Sequence, residues 1–243
     1  MEQLMDLADD RLLNGCIYCG GPAETRDHVP SRILIESPYP ENLPVVGACR
    51  SCNNSFSKDE QYFVCLIESA IAGSTNPDMI RRTSVAKALR RSPALRTQIE
   101  SMKSKTGVPT VFEAEPERVK NVLLKLARGH AAFELSQLCR EEPDCFIWWP
   151  ISIMSSEERE AFDAGHLVEQ LGEIGSRGSQ RIVMTEVSLR SMSGELTKLR
   201  LLINGWLNVQ KGFYRYIAID DYSEIRIKIV IAEYLACEVA WMK

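Results

Sequence analysis

The chain has no run of about 18 apolar residues, so no membrane-spanning helix is expected. Its start, Met1-Glu2-Gln3-Leu4, has an acidic lead without the apolar region of a secretory signal. Together these absences lead to the expectation of a cytoplasmic protein with no membrane partner. No internal repeat, low-complexity tract or Gly-rich phosphate loop is present. An excess of basic charge is missing too: 29 Lys and Arg face 33 Asp and Glu, for a net charge of -4. The resulting pI of about 5.6 argues against a general nucleic-acid coat. Histidine is scarce, with His28, His130 and His166 the three in 243 residues. A disulfide framework is not indicated by the eight cysteines, because Cys65, Cys139, Cys145 and Cys237 sit among apolar neighbours and read as small buried hydrophobes.

The other four cysteines form two Cys-x-x-Cys pairs, Cys16/Cys19 and Cys49/Cys52. Four thiolates in two short knuckles can wrap one tetrahedral zinc and leave no open coordination position, the mark of a structural site. Chemistry must then lie between the knuckles, where Asp27-His28 and Asn42 stand. Hydrolysis of a phosphodiester needs a deprotonated water and a cation to meet charge on phosphorus. An imidazole supplies the first and an ion held by oxygen ligands the second. Adjacent residues on a strand point to opposite faces, so Asp27 and His28 cooperate only where the strand gives way to a loop; Val29-Pro30-Ser31 supplies that break.

The order Cys-x-x-Cys, Asp-His, Asn-Leu, Cys-x-x-Cys-Asn over residues 14–60 resembles the zinc-bearing branch of the HNH, or ββα-metal, endonucleases. The resemblance implies strands at about 23–28 and 43–48 and a helix from about Arg50. It implies His28 as general base, Asp27 as ligand of a catalytic Mg²⁺ or Mn²⁺, and Asn42 as the residue that fixes the loop. Asn53 would be the second metal ligand, with Asn54 beside it as the other candidate. Where many members carry Lys or Arg soon after this Asn, here Asn54-Ser55-Phe56-Ser57 intervenes before Lys58.

In chain order, residues 1–13 read as a short helix, and Ser57-x-x-Glu60 as a capping box opening a helix to about Ala72. Arg26 and Arg32 flank the Asp-His pair as candidate phosphate contacts. From 81 to 105 eight basic residues face one acid. Of these, Arg81, Arg82, Lys87, Arg90 and Arg91 are the candidates for tracking a DNA backbone, and solvated helix faces are the plainer reading. A longer helix from Glu115-Pro116 to about Leu138 carries His130 on its apolar stripe, so His130 is expected in the core. Strands follow at 146–151, 181–184, 213–219 and 224–231, with a Gly-containing loop at 172–179 and a last strand or helix at 235–241.

The expected fold is α+β: a zinc-stabilised nuclease module over 1–75, a helical segment over 76–140, and an α+β region with an antiparallel sheet over 141–243. The expected function is a metal-dependent DNA endonuclease. A homodimer would be the simple route to cutting both strands. An effector of a bacterial defence system would use its C-terminal region for a trigger or partner subunit. The alternative is a zinc-dependent module that binds nucleic acid without cutting it.

Overall fold

The computed structural model describes residues 15–41, 43–104, 111–168 and 182–243. The expected helix at 1–13, the loop at 172–179, Asn42 and Lys105 lie outside them. Five α-helices and antiparallel sheets make up the described residues, an α+β fold. None of these helices is long and apolar enough to cross a membrane.

Strands β1 (Thr25–His28) and β2 (Val45–Ala48) pair antiparallel, with His28 opposite Val45 and Thr25 opposite Ala48. Helix α1 (Arg50–Ala72) follows at once. It begins seven residues before the expected capping box, because the Cys49 thiol accepts from the Cys52 N–H and caps the first turn. Within the polar run after Cys52, Ser55 Oγ donates to the Cys52 carbonyl and Ser57 Oγ to that of Asn54. Gly73, at φ 63°, ends the helix in the left-handed conformation.

Helices α2 (Thr83–Arg91) and α3 (Pro93–Ser101) meet at Ser92, and Pro93 takes the first helical position of α3. Helix α4 (Pro116–Leu135) is the spine. It packs on α1, on β2, and on a five-stranded antiparallel sheet ordered β3 (Cys145–Pro150), β10 (Leu235–Met242), β9 (Glu224–Ile231), β8 (Tyr214–Asp220) and β7 (Leu207–Gln210). Residues 235–242 are therefore a strand, not a helix. Ile225, Ile227, Ile229 and Ile231 of β9 alternate inward toward α4 while Arg226 and Lys228 point away. Each fully buried isoleucine contributes about 1.5–3 kcal/mol.

A short helix, α5 (Ser156–Asp163), opens with a Ser155/Glu158 capping box and lies on the outer face of this sheet, where Phe162 joins Val230 and Ala236. A three-stranded sheet of β4 (His166–Leu167), β6 (Leu196–Asn204) and β5 (Ile182–Arg190) completes the fold. One core cluster takes in Leu34 and Leu66, Leu89 and Leu123, and Ile229 and Cys237. All three expected segments thus share a core.

Candidate active site and metal centre

The first knuckle is closed by backbone bonds, Cys16 N–H to the Gly21 carbonyl at 2.7 Å and Gly20 N–H to that of Cys16 at 2.8 Å. A bond from Ile17 N–H to the Gly47 carbonyl ties it to the strand that leads into the second knuckle. The four sulfurs of Cys16, Cys19, Cys49 and Cys52 lie within 4.8 Å of one another, and those of Cys19 and Cys49 are 3.7 Å apart. A tetrahedral zinc with Zn–S of about 2.3 Å requires sulfurs about 3.8 Å apart, so this cluster can hold a zinc ion with no position left open. Burial pushes the Cys16 thiol up, but backbone N–H groups from Cys49, Cys19 and Tyr18 outweigh it and bring the thiol to about 7. Burial and hydrogen bonds from the other thiols push Cys52 up.

At the other end of the hairpin, β1 stops at His28, as the Val29-Pro30-Ser31 break requires. His28 is half-buried. Burial lowers its pKa, and the cations Arg32 and Lys125 lower it further, so the imidazole is neutral near pH 7. Arg26 is exposed, and the exposed Arg32 lies over the ring of Tyr39 at 5.5 Å.

Asp27 is turned inward, toward Tyr18 and helix α4, and is 6% exposed. The Tyr18 hydroxyl donates to its Oδ2 at 2.7 Å. Burial, followed by the charge of Asp27, pushes Tyr18 well above the usual phenol range and keeps that proton in place. Lys125 of α4, 3% exposed, lies 3.0 Å from Asp27 Oδ1 and 2.9 Å from Oδ2. The same ammonium donates to Ser31 Oγ at 2.7 Å and Glu60 Oε1 at 2.5 Å. Glu60 is therefore a partner in this buried cluster and not a helix cap, which corrects the capping-box expectation. Asp59, one residue earlier, pairs with Arg118 and Asn121.

Asn53 is not brought to Asp27. Its side-chain amide donates to Thr25 Oγ1 at 3.1 Å, one strand repeat away toward the cysteines. Both oxygens of Asp27 are engaged and its charge is met by Lys125, so Asp27 and Asn53 do not fit the ligand pair of a divalent ion as they stand. Lys125 was not foreseen. The signal was in the sequence: a lysine inside Val122-Leu123-Leu124-Lys125-Leu126-Ala127, three residues after a stripe position.

The basic stretch divides. Arg82 is 4% exposed; its guanidinium binds Glu36 at 2.8 Å and the carbonyls of Ile33 and Ile35. It is a fold-holding cation, corrected from the nucleic-acid candidates, and it ties α2 to the loop after His28. Arg81 lies over the Phe213 ring, Arg90 pairs with Asp78, and Lys87 and Arg91 are exposed. His130 is buried as expected, stacked on Tyr216 and within 2.8 Å of the Tyr214 hydroxyl. His166 faces Asp221 at 3.3 Å. A cavity of about 350 Å³ opens along the hairpin beside Glu24, Arg26 and Val46; its lining reaches Val45, the strand partner of His28, but not His28 itself.

No family model matches the chain, and no curated protein or solved structure matches it either.

Proposed function

We propose that the chain is an HNH-type endonuclease that hydrolyses phosphodiester bonds of DNA, with His28 as general base and zinc on the four cysteines. One observation carries the reading: a single hairpin-helix unit joins the four-cysteine cluster to a half-buried neutral imidazole at a strand end. A neutral imidazole can take a proton from an attacking water near pH 7. Arg26 and Arg32 flank it as exposed cations for phosphate oxygens; the helix held to the next loop by Arg82 adds Lys87, Arg90 and Arg91, and Arg81 stands just before it.

The resemblance adds Mg²⁺ or Mn²⁺ on Asp27 and Asn53. Since Asp27 is already neutralised by Lys125, this reading assigns no step to that ion. A role as effector of a bacterial defence system, with residues 141–243 taking a trigger or a partner subunit, and action as a homodimer extend the proposal by analogy alone.

A second reading has a specific observation in its favour. A hairpin whose acidic motif residue is locked to a lysine suits a zinc-dependent module that binds nucleic acid without cutting it. Supercoiled plasmid incubated with zinc-loaded parent and His28→Ala, with and without Mg²⁺ or Mn²⁺, separates the two. Cleavage by the parent alone supports the hydrolase. Equal cleavage by both sinks His28 as the base, and retained DNA binding without cleavage in either favours the binding module.

A further inference from the structure

The side chains around Asp27 are the donor set of a cation site, and the chain fills it with an ammonium of its own. Two carboxylates, Asp27 and Glu60, and the hydroxyl of Ser31 converge on one point, which is what a hard divalent ion takes from a protein. Lys125 Nζ occupies that point and spends its three N–H donors on those three residues. The Phe56 ring lies 5.3 Å from the ammonium and shields it. We infer that Lys125 stands where a divalent ion would bind, and that while it is present neither Mg²⁺ nor Mn²⁺ occupies Asp27.

The exclusion follows from geometry and charge. Mg²⁺ demands oxygens at about 2.0–2.1 Å in an octahedral shell. An ammonium that already touches the same oxygens at 2.5–3.0 Å leaves no room for that shell and repels a second cation. Nor is Lys125 on a loose arm. Four residues on, Gly129 lets α4 approach so closely that a Cβ there would meet Val29 Cγ2 at 2.8 Å. One residue further, His130 is stacked on Tyr216 of the sheet with ring centroids 3.6 Å apart. Withdrawing the ammonium means pulling it from a buried site while the backbone on its far side stays wedged between hairpin and sheet. Lys125 is on this view a positioning residue: it is buried, and it acts by holding Asp27, Ser31 and Glu60.

The inference rests on the hydrolase reading for the importance of the site, but its test needs no cleavage. Mn²⁺ is titrated into the zinc-loaded, ¹⁵N-labelled full chain. The expected result is that the amide signals of His28, Ser31 and Glu60 keep their line widths while free Mn²⁺ accumulates. Broadening confined to these signals at sub-stoichiometric Mn²⁺ would overturn the inference, whatever the variants do. Lys125→Met keeps the apolar stem and removes the charge. It should gain one Mn²⁺ site per chain, bound about tenfold or more tighter than by the parent, and lose it again when Glu60→Gln is added. A variant that retains zinc and its circular dichroism yet gains no Mn²⁺ would overturn the claim that this is a cation site. A plasmid left uncut by a parent that excludes Mn²⁺ would sink the hydrolase and leave Lys125 where it is.

Discussion

The hairpin-helix unit has a cation site at each end, and the two are built in opposite ways. At one end four cysteines from two short knuckles converge on a point suited to zinc, and every ligand comes from within residues 16–52. At the other, Asp27, Ser31 and Glu60 converge on Lys125, which arrives from 98 positions away on a helix outside the unit. The first site takes its charge from solution; the second brings it along the chain. Local ligands can be read from spacing, whereas a site closed by a distant helix cannot, because nothing in residues 25–60 says which carboxylate will meet a lysine.

The contrast can be broken most forcefully at the cysteines. Cys49→Ser removes both a sulfur and the cap of α1, so zinc content should fall from one per chain to near zero and the hairpin should melt separately from the sheet. Metal analysis and a thermal scan read this out, and a parent that purifies without zinc would end the first half of the comparison. Next in size, Lys125→Ala leaves two buried carboxylates without their cation and should cost about 3–5 kcal/mol in urea unfolding. Adding Asp27→Asn and Glu60→Gln should restore part of it, and a cost under about 1 kcal/mol would mean that water replaces the ammonium at no penalty. Gly129→Ala presses a methyl against Val29 and should cost about 1–3 kcal/mol; unchanged stability would show that α4 is free to shift.

The smallest effect is electrostatic. His28 should titrate below the ordinary imidazole value of about 6.5 and move up toward it in Lys125→Met, as read by nitrogen chemical shifts. The sign is fixed by linkage. The unfolded imidazole binds a proton more readily than the folded one, so this contribution is fully present above about pH 6.5 and is lost as pH falls through the lower folded value. A His28 that titrates at or above 6.5 would remove burial and the two cations as its environment.

Much of the fold was legible. Alternation in 224–231 located β9 and its inward face, and the break after His28 ended β1 where it does. The resemblance placed the start of α1 at about Arg50, where it lies, whereas the capping spacing of Ser57 and Glu60 pointed too far along the chain, since the thiol of Cys49, eight residues before Ser57, does the capping. Ser155 and Glu158 have the same spacing and do cap a helix, so the pattern alone does not say which instance is used. In the site, the cysteines were legible as a cluster and His130 as core. The partner of Asp27 was not, because a lysine in an apolar run is silent about what it neutralises. Arg82 misled for the same reason: charge density along 81–105 does not show which guanidinium is turned inward.

The contact between Asp27 and Lys125 also bears on descent. Neither end can drift alone, since loss of the lysine is tolerable only if a carboxylate is neutralised or an ion is recruited. Under the inferred exclusion of Mg²⁺ and Mn²⁺, the residue at position 125 in any relative of this chain becomes a marker: lysine for a hairpin that carries its own cation, a neutral residue beside intact acids for one expected to take a metal ion instead.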